Sequence, residues 1–373
     1  MHIAESFKNR TKMYAINPVM SAPLVSVLIP AFNSAGTIQE TLESVLRQTY
    51  PNIEIIIVDD GSTDKTAQVV LEFNEHIKYI YQPNNGLASA RNCGLALAQG
   101  EFLALLDADD ICDSNRIAIQ VAYLLANPDI VLCCTDFSAF RDHHYLSDSY
   151  INTYYGVICS VFGGLEKIYE QHQVINTRLI SWCNVVDNQQ IRTLCGHVSN
   201  KIIHGNFIHP PTVMVRRSVA KQVGSFDQQL RWVCDYDWFI RISLLGKIGY
   251  IDKPLLKYRL SQSQMSSDRN TLLHKLETIK IIDKIRNFND ALYQSNIKIL
   301  KKRLSYIYLG IANILVEHDR LRAFSYFFLS LRFPTSIRYI TFKVLVKLIT
   351  PKFLIQLRRH QKKLILMCRV PDD

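Results

Sequence analysis

An unbroken apolar run at residues 102–106 stops at three carboxylates, Asp107, Asp109 and Asp110. Such a run needs burial on both faces, which is the condition of an interior strand in a parallel sheet. The carboxylates cannot follow it inside without partners, because an unpaired buried charge is too costly. They are expected at the strand's carboxyl end, the edge where open α/β sheets take their ligands. Asp107 and Asp109 are two residues apart and share a side if strand geometry continues. Two oxygen ligands on one side of a crevice suit a hard divalent cation. A helix cap or a solvated turn would use the same residues, so the neighbouring segments decide.

Those neighbours repeat the pattern. Residues 24–29 read as a first strand stopped by Pro30, with Asn33 or Ser34 to cap a helix over 37–48. Residues 53–58 form a second strand ending in Asp59-Asp60-Gly61-Ser62, and Asp64 can cap the helix that follows. A third strand covers 77–81. After the turn at Pro83-Asn84-Asn85-Gly86, a helix over 87–98 is closed by Gly100. A helix at 115–126 and a strand at 130–134 come next. This alternation predicts an α/β fold with a mainly parallel central sheet flanked by helices. Asn33, Asp60, Asn85 and Asp107/Asp109 each follow a strand's carboxyl end, so one crevice is lined by several hydrogen-bonding groups.

Charge divides the chain differently. Of 43 Lys and Arg, 12 lie in residues 320–371, which hold no Asp or Glu. That leaves residues 1–319 neutral, with 31 groups of each sign. A neutral body argues against a nucleic-acid partner and for a basic surface made by one segment. Within 335–369, Lys343 and Lys347 share a helix face, as do Arg358 with Lys362 and Arg359 with Lys363, while Leu354, Leu357, Leu364 and Ile365 can face away. A basic amphipathic segment reads as binding an anionic membrane surface; a solvated or protein-docking helix is the plainer alternative. The nine Cys are an odd number without paired metal spacing. With no apolar signal in the leader, 1–22, they point to a cytoplasmic protein, peripheral on the inner face of the plasma membrane.

Residues 141–206 are polar and aromatic with weak periodicity. They read as a variable insertion, either touching substrate or making a surface excursion. Order returns at 207–262, with short strands at 212–215 and 248–251, a helix at 238–245 and Asp235 just before it. From 263 to 373 the chain is expected to be helical, an extension with an apolar stripe at Leu272, Leu276, Ile279, Ile282 and Ile285.

Four blocks carry a resemblance: Val25-Ser-Val-Leu-Ile-Pro-Ala-Phe-Asn33, Val58-Asp-Asp-Gly-Ser-Thr-Asp64, Asn85-Gly-Leu-Ala-Ser-Ala-Arg-Asn92 and Leu106-Asp-Ala-Asp-Asp110. In order and spacing they resemble family 2 glycosyltransferases of the GT-A (Rossmann-like) fold, most closely over residues 23–135. The resemblance implies a nucleotide-sugar-binding half at 23–140, an acceptor and catalytic half at 207–262, and a UDP-sugar or related donor. Pro30 and Phe32 would flank the base and ribose, with Asn33 beside them. Asp60 would hydrogen-bond the base, Arg91 would hold the nucleotide side, and Asp107 would reach the ribose or sugar. Asp109, with Asp107, would bind Mn²⁺ or Mg²⁺ between the phosphates.

Asp235 matches the family's catalytic base, although Cys234 stands where the family usually has Glu. Ser261 stands where a His is common, leaving Arg259 as a candidate for the diphosphate. The implied reaction is an inverting transfer to the hydroxyl of a lipid-linked or cell-surface glycan. A non-catalytic nucleotide-sugar-binding module and a sugar nucleotidyltransferase are the alternatives. The second would want a Gly-rich basic loop after the first strand, and Ala31-Phe-Asn-Ser is not one.

Overall fold

The apolar runs meet as strands of one sheet, and their polar ends collect along one edge of it. The structure is a computed structural model that describes residues 22–73, 77–141, 144–180, 182, 190–261, 270–333 and 338–350. The expected leader therefore lies almost wholly outside the described residues. The chain divides into two compact units, residues 1–264 and 265–373.

The first unit carries the strands β1 (Val25–Ala31), β2 (Ile53–Asp60), β3 (Ile77–Gln82), β4 (Phe102–Leu105), β5 (Ile111–Cys112), β6 (Ile130–Arg141), β7 (His144–Ser147), β8 (Gln171–Asn176), β9 (Gln190–Gly196), β10 (Met214–Arg216) and β11 (Lys247–Arg259). Its helices are α1 (Ile38–Leu46), α2 (Thr66–Leu71), α3 (Leu87–Leu97), α4 (Arg116–Ala126), α5 (Ile151–Tyr154), α6 (Ser199–Ile202), α7 (Arg217–Val223) and α8 (Cys234–Ser243). The sheet order is β3-β2-β1-β4-β10-β6-β11-β9-β8, with β5 on β11 and β7 on β6. From β3 to β11 along that path only β10 runs against the others, so the central sheet is mainly parallel.

All four residues of β4 are buried, as a doubly covered strand requires. Below it, Arg116 is also buried; its guanidinium donates to the carbonyl of Leu105 (2.9 Å) and to Gln120 Oε1 (3.0 Å). The chain goes from β1 to β2 on one side, and β4 joins β1 on the other. That reversal opens a crevice at the carboxyl ends of β1 and β4.

Several local expectations change. Pro30 lies inside β1, paired with Val58, rather than ending it. Its backbone nitrogen faces the β4 side, where pairing has already finished at Leu28, so the missing N–H breaks no ladder bond. Neither Asn33 nor Ser34 caps α1 with its side chain; Thr37 occupies the N-cap and the carbonyl of Ser34 receives the N–H groups of Thr37 and Ile38. Gly100 does not close α3, which ends at Leu97 with Ala98 extended. Its lack of a side chain matters because a Cβ there would lie 2.6 Å from the backbone nitrogen of Ser26.

β6 runs through Arg141, well past the expected end at residue 134, because β11 pairs with it along most of its length. Pro254 is absorbed into β11 at a pair of register shifts. α8 starts at Cys234, four residues earlier than periodicity suggests, and so takes Asp235 and Asp237 into its first turn.

The second unit is helical: α9 (Thr271–Phe288), α10 (Asp290–Ser295), α11 (Ile297–Leu315), α12 (Arg320–Leu331) and α13 (Arg338–Ile349). In α9 the buried apolar residues are Ile281, Ile282 and Ile285, while Leu272, Leu276 and Ile279 are half-buried. A core of Leu309, Ala312, Val316, Ala323, Phe327, Val344 and Leu348 joins α11, α12 and α13. The tail residues Leu354, Leu357, Arg358, Arg359, Lys362, Lys363, Leu364 and Ile365 lie outside the described residues. Among the described residues no helix is long and apolar enough to cross a membrane.

Candidate active site

The loops after β1, β2 and β3 are sewn together by short polar side chains. Asn33 adopts a left-handed φ of 49°, a region Asn tolerates better than most residues. Its Oδ1 accepts the N–H of Thr63 at 2.8 Å, and its own N–H donates to Ser62 Oγ at 2.9 Å. Asp64 accepts from Ala35 N (3.0 Å) with one oxygen and from Thr66 N (2.9 Å) with the other. Gly61, at φ +80°, lets the loop after β3 close in, since a Cβ would stand 2.6 Å from Asn84 N. Beside this scaffold Phe32 is 51% exposed, an aromatic that the core does not use.

Asp59 and Asp60 are both buried at the end of β2. Asp59 supports the turn, accepting from Ser62 N (2.8 Å) and the Tyr79 hydroxyl (2.6 Å). Asp60 accepts three bonds: Gln82 Nε2 (2.7 Å) and Asn85 N (2.9 Å) on Oδ1, and Gly86 N (2.8 Å) on Oδ2. It thereby fixes the turn from which α3 springs.

The carboxylates after β4 are less well served. The Ala108 carbonyl between them is pinned by the hydroxyls of Thr37 and Thr41, both at 3.0 Å. Burial, then the charge of Asp107, pushes the pKa of Asp109 up to about 6. Burial, then the charges of Asp109 and Asp107, raises that of Asp110 well above the usual carboxylate range. Asp110 Oδ1 accepts from Arg259 N at 3.0 Å, while its buried Oδ2 has no partner among the described residues. Arg259 braces the cluster from β11: its Nε donates to the carbonyl of Asp109 (2.9 Å) and its Nη2 pairs with Glu40 (2.8 Å).

These residues fit a divalent cation. Crowded carboxylates with raised pKa values, one of them holding an unserved oxygen, are relieved by positive charge. Among the described residues no three His, Cys, Asp or Glu side chains converge as a metal cage. Mg²⁺ and similar ions need none, since one or two carboxylates, water and substrate phosphates complete their shell.

Arg91, on α3, joins this cluster to the other half of the crevice. It is only 2% exposed. Its Nη2 contacts Asp107 Oδ1 at 3.2 Å, and its guanidinium lies 5.6 Å from the centre of the Phe226 ring. Burial works against its charge, but Asp107, then Cys234 and Asp235, more than offset that and keep it firmly protonated. Next to it, Asn92 exchanges two hydrogen bonds with the backbone of Phe226, at 2.9 and 2.7 Å. Phe226 stacks on Trp238 of α8 at 4.4 Å. Asp237 is occupied by Arg241, which also donates to the carbonyls of Val223 and Ser225. Asp237 is thus structural, and Asp235, half-buried two residues earlier, lies within reach of the charge of Arg91.

A further group borders Asp235. The buried Tyr155 phenol has its pKa raised, by burial first and then by charges that include Asp235. It lies 3.2 Å from His209 Nδ1 and donates to the carbonyl of Ile208. His209 stacks on Phe137 at 3.9 Å, and burial together with the charge of Arg116 lowers its pKa to about 3. No motif in the sequence marks Tyr155 or His209, and Asp110 is not among the residues to which the family resemblance gives a role. Asp110 was legible in its acidic run; the other two meet only through the fold.

An open α/β sheet with carboxylates at the β4 edge and an acid on a facing helix defines a GT-A type glycosyltransferase fold. Two solved structures share it. TarS 1–349 of S. aureus, in complex with UDP-GlcNAc, matches with a TM-score of 0.52 and 19% identity over 87% of this chain and 80% of its own. The mannosyltransferase PcManGT from Pyrobaculum calidifontis, in complex with GDP-Man and Mn²⁺, matches with 0.53 and 18% over 96% and 89%. An uncharacterized glycosyltransferase of Rickettsia prowazekii is 29% identical over 258 residues, 69% of each chain. Residues 26–191 match the family model described as glycosyl transferase family 2. That stretch is similar to members of this family.

Proposed function

We propose that the chain transfers a sugar from a nucleotide-diphosphate sugar to an acceptor hydroxyl with inversion. Asp235 takes the hydroxyl proton, and the acceptor oxygen attacks the anomeric carbon from the face opposite the diphosphate. Arg91 carries the reading: a single buried cation touches Asp107 on the donor side and feels Asp235 on the other. Donor and base therefore share one crevice.

Phe32 and Pro30 flank the base and ribose, with Asn33 holding their loop. A carboxylate has about four acceptor sites. Asp60 spends three on its turn, which leaves one for a base N–H. Asp107 and Asp109 would hold Mn²⁺ or Mg²⁺, which when bound stabilises the charge on the departing diphosphate. The ligands of the two structural neighbours, UDP-GlcNAc in one and GDP-Man with Mn²⁺ in the other, agree with a donor of this class. Lipid-linked or cell-surface glycans fit as acceptors, because the basic segment at 320–371 suits the inner, anionic face of a membrane.

Replacing Asp235 with Asn should lower turnover by roughly 10²–10⁴-fold with nucleotide-sugar binding unchanged. Binding is read by thermal shift with UDP-sugars first, and turnover by sugar transfer. Undiminished transfer would remove Asp235 as the base.

A further inference from the structure

α12 and α13 carry more apolar surface than their packing uses. α12 turns Ala323, Phe327 and Ser330 inward. A second stripe, Leu321, Phe328 and Leu331, recurs at i, i+7 and i+10 and lies to one side of the first, with Phe324 half-buried against the core beside it. Leu321 is 83% and Phe328 61% exposed, and the rings of Phe324 and Phe328 stack 6.4 Å apart. α13 repeats the arrangement. Val344 and Leu348 enter the core, while Phe342, Leu345 and Ile349, at i, i+3 and i+7, stay outside. Phe342 is 63% and Ile349 67% exposed.

Scattered exposed apolar residues are ordinary, but a second helical stripe on each of two successive helices is not needed for folding. Charge selects what covers them. Residues 320–350 include Arg320, Arg322, Arg332, Arg338, Lys343 and Lys347 and no Asp or Glu. Arg322 pairs with Asp319 at the start of α12 and Arg320 donates to the carbonyl of Thr350, and the other four add to the positive side. A second copy of this chain would set like charge against like. Nucleic acid would use the basic groups and leave the apolar stripes wet. An anionic bilayer takes both, with apolar side chains at the acyl boundary and cations among the headgroups. We propose that the outer stripes of α12 and α13 are a docking surface for an anionic lipid bilayer. The inference rests on the membrane reading above, but it assigns the contact to these helices and does not require the basic residues beyond 350.

The test uses the full chain and sedimentation with vesicles of phosphatidylglycerol mixed with phosphatidylcholine, or of phosphatidylcholine alone. The combined variant Leu321→Ser, Phe328→Ser, Phe342→Ser, Ile349→Ser should bind the anionic vesicles about tenfold or more weakly than the parent. It should melt at the parent's temperature, since exposed positions are replaced. A tail variant, Arg358→Glu with Lys362→Glu, separates the two readings. Loss of binding in the stripe variant with retention in the tail variant supports the stripes and discards the tail. The reverse overturns the inference and leaves the tail reading standing. Parent-level binding by the stripe variant, no vesicle binding by the parent, or a parent dimer that the stripe variant dissociates would each overturn the inference.

Discussion

Two acid clusters stand at the ends of two strands of the same sheet, and the protein treats them in opposite ways. At the end of β2, Asp59 and Asp60 are buried and provided with donors, five in all, drawn from β3 and the surrounding loops. At the end of β4, Asp110 is buried and Asp109 half-buried beside it and beside Asp107, with the pKa values of both raised by loss of solvent and by neighbouring carboxylates. The first cluster is largely satisfied by the fold and braces its loops, with one acceptor site of Asp60 left over. In the second, Arg91, Arg259 and Arg116 offset the crowding of carboxylates only in part, so added positive charge would relieve it. Acids of one type at equivalent strand ends thus differ in how far the fold satisfies them, according to what donates to them.

The largest test of that division is Asp109→Asn. Cation-dependent transfer should fall by about 10³-fold, in line with losing a group that stabilises transition-state charge. The same variant without ligand should be more stable at neutral pH, by about 1–3 kcal/mol, because ionising Asp109 above its raised pKa weakens the fold. Urea unfolding and a transfer assay read the two effects, and a loss of stability would put Asp109 with the brace instead.

Asp60→Asn should behave in the opposite sense. An amide nitrogen would replace one oxygen that accepts from Asn85 N or Gly86 N, and the expected cost is about 2–3 kcal/mol. A melting temperature equal to the parent's would erase the contrast.

A smaller effect concerns acid. Asp109 titrates higher in the folded chain than when unfolded, so its penalty is relieved as pH falls through about 6. His209 is opposite: its folded pKa is near 3, so below about 6.5 only the unfolded chain takes up that proton. Stability from this group falls by about 1.4 kcal/mol per pH unit below that point. His209→Phe should therefore gain about 2 kcal/mol relative to the parent between pH 7 and 5, measured by urea unfolding at both.

Much of the fold was legible because the strands that build the crevice are short, apolar and punctuated. Residues 53–58 and 102–106 have no stable alternative to burial on two faces, and their acids mark where burial stops. Misreadings occurred where a partner strand decided the outcome. Pro30 stays in β1 because β4 has already turned away, and β6 extends through Arg141 because β11 runs beside it. In the site, Asp235 and Arg91 could be singled out from their motifs. That one buried guanidinium addresses both Asp107 and Asp235 could not, since those residues are far apart in the chain.

The order of residues by itself determined the alternation of strand and helix, the acids at the strand ends and the charge imbalance after residue 319. Each depends on local chemistry: apolar runs leave water, carboxylates stay at its edge, and residues 320–371 hold lysines and arginines without an acid among them. Only the tertiary structure decided which acids were satisfied. Hydrogen bonding and desolvation depend on neighbours brought from other segments, so Asp60 became a brace and Asp109 a strained carboxylate through the company the fold gave them.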